Sequence, residues 1–491
     1  SALALLGLAL CTCTPASSAD HPIASSARPL VLDSANWTVT KTGGAGPALP
    51  ALPAQVPGDI LSDLQRAGRA PDPYFNLTWR QPEYVALWNT GTWTYRKSFI
   101  TPASAASAQQ LLVFDGIRMG AVVTLNGHWL FNATNQFQRY SVPLLSEQLK
   151  TDGTLNELAV AFGNELGIDC GGRFTLSSQI DWAPRMVTND SFTGRSTFGF
   201  AIWRSVYLLP VPDAAITQLV PHTFYAGGHP TALLEDNNHA GFKVVVRCEI
   251  FAPSQGVAGH VSVLGGWPGA VAVDSQQVTL EQGVNNITLE LLPEQTRGAR
   301  LWHVNGYGDQ IRYNISATFT PARAGAANVS ASRLIGFRHL ALVTVNDTDI
   351  KVAEAAATAN GTGQFTMFFR CNGAAIYSRG ANKIPMELLE GRMSDAAHRR
   401  LVQSAAEGRM NTLRVWGGAI WEPQSFYDAA DEFGVLIYHD AQFLNGGLEP
   451  YGTAGPGVRG TASERDELEY QLARLSHHPS IASESCLYCA F

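Results

Sequence analysis

Residues 411–440 read NTLRVWGGAIWEPQSFYDAADEFGVLIYHD, a stretch that decides the fold because two strand-like runs enclose one helix-like run. Residues 412–416 form a short apolar run closed by Gly417 and Gly418. Residues 423–433 place apolar side chains at helical spacing, and residues 435–438 form a second apolar run ending at Asp440. The pattern predicts a βαβ unit. In barrel enzymes the residues just after parallel strands carry the chemistry, which makes Trp416 and Asp440 candidates.

Working outward, residues 376–381 are strand-like, 394–408 helical and 464–476 helical again. Together with the opening stretch these are successive βα units, predicting a partial (β/α)8 TIM barrel over 333–491 that ends near strand 4. Upstream the period changes to that of strands. Residues 243–251, 277–291 and 310–319 predict an immunoglobulin-like β-sandwich over 214–332. Residues 20–213 alternate short β-type runs with turn signals, as in 111–114, 121–125, the Asn126-Gly127 hairpin turn and 158–162, and predict another sandwich. The fold class is thus multidomain β plus α/β.

Length and composition agree with several domains. A chain of 491 residues suggests about three, and 46 Gly with 26 Pro fit many turns and short strands. A net charge of −7 without a basic run argues against a nucleic-acid partner. Residues 1–19 read as a secretory signal, with an apolar run over 2–10 and small residues at Ser17 and Ala19, although the initiator Met and basic start of such a signal are missing. No run is long enough for a membrane span. Nine N-x-S/T acceptors, at Asn36, Asn76, Asn132, Asn189, Asn286, Asn314, Asn328, Asn346 and Asn360, point to a glycosylated protein of the secretory route, lysosomal or extracellular. Of seven cysteines, Cys11 and Cys13 would leave with the signal, and Cys170, Cys248 and Cys371 are expected as buried thiols. Cys486 and Cys489 form a lone C-x-x-C beside His477 and His478, without the second ligand pair a zinc site needs, so no metal is expected.

Several motifs resemble the family 2 glycoside hydrolases, and within them the β-mannosidases. The opening stretch carries the family's R-V-W-G-G, F-Y-D and D-E-x-G runs and its strand ending in Asp. Val56-Pro-Gly-Asp-Ile60, Asp72-Pro-Tyr-Phe75, Trp93 to Phe99 (WTYRKSF) and Ile202 to Leu208 (IWRSVYL) follow the order of that family's N-terminal domain, which implies a jelly-roll sugar-binding domain for 20–213. The run LWHVNGYGDQ over 301–310 resembles a structural loop of the family, with Val304 where proline is usual; Lys383 likewise replaces a tryptophan in the barrel-entry motif.

The resemblance implies hydrolysis of terminal non-reducing β-D-mannose with retention, no cofactor, and an oligosaccharide or glycan as substrate. Such chemistry needs two carboxyl groups about 5 to 5.5 Å apart. The family's acid/base glutamate follows a run that matches at His478-Pro-Ser-Ile481, after which the sequence departs, leaving Cys489 at the glutamate position. The nucleophile position falls beyond Phe491, so no catalytic residue is assigned and the chain as given is expected to be inactive. Glu484 comes five positions early, inside a strand, and is expected to be structural; Glu422 and Glu387 are read as solvated or structural loop carboxylates without a visible partner.

The implied substrate-binding shell is Asp181, Trp182, Trp416 and Asp440. Asp181-Trp182 match a loop that reaches into the barrel mouth in the family, with Ile180 and Ala183 departing from its pattern. A carboxylate for vicinal hydroxyls and an indole for the apolar sugar face suit a pyranose. Arg414 is expected as a buried cation supporting the site beside a neighbouring carboxylate, and His439 as a packed residue. The competing readings are a family 2 exo-enzyme for β-glucosaminides, β-galactosides or β-glucuronides, and a non-catalytic glycan-binding glycoprotein.

Overall fold

The computed structural model describes residues 23–485, apart from 47–48, 76–77, 79–80, 104–107, 169, 171–187, 191–194, 197–199, 276, 345–346, 348–366, 388, 418 and 443–461. Its first unit is a β-sandwich. A six-stranded antiparallel sheet runs Leu52–Val56, Ser34–Thr42, Thr92–Phe99, Asn156–Phe162, Ala121–Leu125, His128–Ala133, and a four-stranded sheet runs Tyr140–Pro143, Gln109–Phe114, Val206–Val211, Leu30–Val31. Strand Thr92–Phe99 shows why: Trp93, Tyr95 and Phe99 are buried on one face, where only Lys97 breaks the alternation, so a period of two lays that face on the core. Trp37, Trp93, Tyr95, Phe114 and Phe162 fill that core, where truncating an aromatic to alanine costs about 3–5 kcal/mol. Asn126 and Gly127 take φ of 52° and 82°, the left-handed pair that a two-residue hairpin turn requires.

The second sandwich joins Ala24–Ser25, Ala215–Tyr225, Phe242–Ala252 and Gly283–Leu291 in one sheet to Val273–Asp274, Val257–Gly265, Tyr313–Pro321 and Val329–Ile335 in the other, with Val278–Leu280 pairing Val257–Gly265. Two crossings follow. Ala24–Ser25 adds to this sheet through Ile216 and Ala215, although it lies in the segment expected to form the first sandwich, and Val329–Ile335 runs through the expected boundary at 332.

Four parallel strands follow: β1 (Gly380–Lys383), β2 (Thr412–Val415), β3 (Leu436–Asp440) and β4 (Ile481–Ser485), in that order. Helices α1 (Asp395–Glu407), α2 (Gln424–Phe433) and α3 (Ala462–Leu475) lie between them in the chain. Ser394 caps α1 by accepting from the Ala397 amide, and Gly434 ends α2 in the left-handed region at φ 72°. Leu413 and Val415 of β2 and Ile437 of β3 pack with Phe426, Ala429 and Ala430 of α2. Leu436 and Tyr438, on the alternate face, pack with Trp302, Val304 and Phe369.

Several expected strands are cut differently. The run 376–381 divides into Ala374–Ile376, which closes a hairpin on Phe368–Cys371, and β1, which begins at Gly380 because a Cβ there would meet Thr412 O of β2 at 1.6 Å. The run 277–291 breaks at Glu281-Gln282, and the run 310–319 starts at Tyr313. Cys248 and Cys371 are buried thiols, whereas Cys170 is half-buried. Among the described residues no helix is long and apolar enough to cross a membrane, and no group of three metal-ligating side chains occurs.

Candidate active site

Parallel register sets the site. Asn382, Arg414, Tyr438 and Ser483 are neighbours across β1 to β4, and so are Lys383, Val415, His439 and Glu484. Because successive residues alternate faces, the row containing Arg414 lies opposite the row that contains Val415 and His439. Trp416 and Asp440 come at the carboxyl ends of β2 and β3.

Asp440 is tightly held. Arg414 donates to it twice, Nε to Oδ1 at 3.2 Å and Nη2 to Oδ2 at 2.5 Å, and the Gly417 amide donates to Oδ2 at 3.1 Å. A forked guanidinium and a backbone amide fix the plane of the carboxylate, and charge-assisted bonds of this kind are roughly twice as strong as neutral ones. Arg414 is not the buried cation expected: its side chain is 39% exposed while that of Asp440 is 8% exposed. The pair stands at the mouth of the sheet, where its charge faces solvent. Trp416 is half-buried beside it, its amide donating to Lys383 O at 3.2 Å.

Behind Asp440 lies a buried polar chain. His439 Nδ1 donates to Asp440 O at 2.7 Å, Tyr427 Oη donates to His439 Nε2 at 2.8 Å, and Tyr427 Oη accepts from the Glu422 amide at 3.1 Å. The imidazole stacks on Trp421 at 4.5 Å. Burial pushes its pKa down to about 4, so it is a neutral packed residue as expected, fixed in one tautomer.

Glu422 departs most from expectation. It is fully buried and has two partners, Lys383 Nζ and His398 Nε2, the latter at 3.3 Å. Burial alone would raise its pKa, but the Lys383 charge and His398 outweigh that and hold it below the usual range. Sequence reading missed this cluster although a signal existed: a lysine within a strand must find a carboxylate if its strand packs under a helix. Glu387 also has a partner, accepting from Tyr74 Oη of the first sandwich at 2.7 Å. Asp181, Trp182 and Cys489 lie outside the described residues, and Glu484 is placed only by its backbone, opposite His439.

Known proteins share this architecture. A family profile described as "Glycosyl hydrolase 2 galactose-binding domain-like" matches residues 37–170. β-Mannosidase B of Emericella nidulans is 28% identical over 476 residues, covering 91% of this chain and 49% of that protein. Among solved structures, the β-D-mannosidase of Dictyoglomus thermophilum superposes with a TM-score of 0.69 at 21% identity, over 93% of this chain and 51% of that one. The exo-chitosanase of Amycolatopsis orientalis gives 0.64 at 19%, over 92% and 48%. The chain spans about half the length of the curated relatives it matches. The chain is thus similar to β-mannosidases and, in its first sandwich, to a domain of the family 2 glycosyl hydrolases.

Proposed function

We propose that this chain supplies the glycone-binding wall of a retaining exo-glycosidase that removes terminal β-D-mannose from glycans. The observation that carries the reading is the Asp440 carboxylate, fixed by Arg414 and the Gly417 amide at the carboxyl ends of parallel strands. With its plane set in advance, the carboxylate accepts from sugar hydroxyls without reorganisation, while Trp416 and Trp182 are assigned to the apolar face of the ring. The four strands are read as the first part of a (β/α)8 barrel, the first sandwich as a jelly roll and the second as immunoglobulin-like, with 20–213, 214–332 and 333–491 as their segments. Support comes from the β-mannosidases among the chain's relatives.

In this reading Asp181, Trp182, Trp416 and Asp440 hold the sugar. Retention requires an acid that protonates the leaving oxygen, and a thiol at Cys489 does not replace a carboxylic acid there. A polypeptide of these 491 residues is therefore expected to bind aryl β-mannoside without hydrolysing it. The secretory route is part of the proposal, supported by the exposed acceptors Asn36, Asn286, Asn314 and Asn328.

The test is a binding panel of aryl β-mannoside, β-glucosaminide, β-galactoside and β-glucuronide. Preference for the mannoside supports the assignment. Preference for another glycoside would transfer the site to that substrate, and no binding of any would leave a structural glycoprotein.

A further inference from the structure

Strand His128–Ala133 lies at one edge of the six-stranded sheet, and it is bulged. Its pairing with Ala121–Leu125 sets Phe131 against Val123 and Trp129 against Thr124, which leaves Leu130 as an extra residue. In a regular strand residues three apart face opposite sides. The extra residue instead returns Trp129 and Asn132 to the same side. Leu130 and Phe131 pack on the sandwich core, while Trp129 faces outward with 61% of its surface exposed. The two outward side chains are joined, Trp129 Nε1 donating to Asn132 Oδ1 at 3.0 Å.

Asn132-Ala133-Thr134 is one of the N-x-S/T acceptors. An indole nitrogen only donates, so this bond uses the amide oxygen and leaves the amide nitrogen, the atom that takes an N-linked sugar, uncommitted by it. Both atoms hang on one carbon. A sugar joined to Nδ2 therefore starts beside the indole, whose face suits the apolar face of a pyranose. A large exposed indole on a sheet edge also invites pairing with other chains, and a glycan there would shield it.

We propose that Asn132 is an N-glycosylation site and that Trp129 is the platform on which the first N-acetylhexosamine of its glycan packs. The inference rests on the secretory route proposed above. In the modification, Asn132 Nδ2 bonds to the anomeric carbon of an oligosaccharide carried on a polyprenyl diphosphate. The bond from that carbon to the diphosphate oxygen breaks, the diphosphate leaves with the electron pair, and the amide gives up one proton. Oδ1 is untouched, so the bond from Trp129 survives and holds the linkage in place.

The test expresses the 491-residue chain behind the leader of a eukaryotic host that makes high-mannose glycans, trims each glycan to its first sugar with an endoglycosidase and maps the sites by mass spectrometry. Sugar on Asn132 is expected, and an unmodified Asn132 would overturn the proposal. Thr134→Ala removes the acceptor and keeps both Trp129 and Asn132. It should lower the melting temperature by about 1–4 °C more in the parent than in Trp129→Ala, the value of one ring contact. Trp129→Phe keeps a ring and should keep most of that difference. Equal effects of Thr134→Ala with and without Trp129 would overturn the platform. Hydroxyl-radical footprinting reads the same contact without a melting curve: Trp129 should oxidise about twofold more slowly with the sugar, since one of its two faces is covered, and equal rates would also overturn it. Export by residues 1–19 is scored in a separate chain with Met placed before Ser1, so a failed leader counts against the route while the Asn132 map decides the site.

Discussion

At the scale of single residues, the buried Lys383–Glu422–His398 cluster makes the sharpest demand on the sequence. Removing one partner leaves a charge in a dry interior, so Lys383→Met should cost about 3–5 kcal/mol in urea unfolding. The double change Lys383→Met with Glu422→Leu should recover most of that loss; an equal or larger loss would show the ion pair itself to be stabilising. His439 gives a pH signature. Its pKa falls from 6.5 to about 4 on folding, so between those values the unfolded chain binds a proton that the folded chain refuses. Stability from this residue is complete above about pH 6.5 and declines by about 3 kcal/mol as the pH drops to about 4. Comparing the pH dependence of the melting temperature with that of His439→Gln isolates it from Asp63, whose burial raises its pKa to about 6 and acts in the opposite direction. A His439→Gln profile parallel to the parent would contradict the assignment. Asp440 and Trp416 were legible from their places after strand-like runs. The partners of Glu422 were legible only in part, because Lys383 in a strand signals the need for a carboxylate but not which loop supplies it.

At the scale of elements, strand and helix types followed the apolar period closely in the βα segment, and boundaries failed where backbone contacts decide them. The loop 301–310 shows the difference. Its tight turns were readable from glycines, and Gly306 and Gly308 have φ of 85° and 155°. Its purpose was not readable. The Asn305 amide donates to Gly434 O at 2.7 Å, and Asn305 Nδ2 donates to Ala406 O and Met410 O, clasping the ends of α1 and α2. These acceptors are carbonyls about a hundred or more residues away, and every residue type has one. Gly434→Ala should therefore cost well over the roughly 1 kcal/mol of a left-handed alanine, since its Cβ would stand 2.6 Å from the Asn305 amide nitrogen. A melting temperature within a degree or so of the parent would show the loop to be free to yield.

At the scale of the whole molecule, buried contacts join units that the sequence presents as a string. Arg118 of the first sandwich pairs with Glu390, and Arg338 donates to Ile481 O of β4 at 2.5 Å. Arg118→Met should raise the rate of proteolysis within 384–394 before it affects the sandwich core; uniform protection would mean the units hold without it. The step from sandwich to βα segment was legible because the hydrophobic period changes there. The docking of the units was not, since it depends on single charges meeting across hundreds of residues. Within the βα segment, the parallel register of β2 and β3 brings Arg414, Trp416 and Asp440 to one end of a sheet, and the proposed mannose pocket rests on that arrangement. Calorimetric titration of aryl β-D-mannoside into the 491-residue chain and its Asp440→Asn variant tests it most directly. The account predicts saturable binding that weakens by more than about tenfold in the variant, the loss of a charged hydrogen-bonding group; equal affinity in both proteins would contradict it.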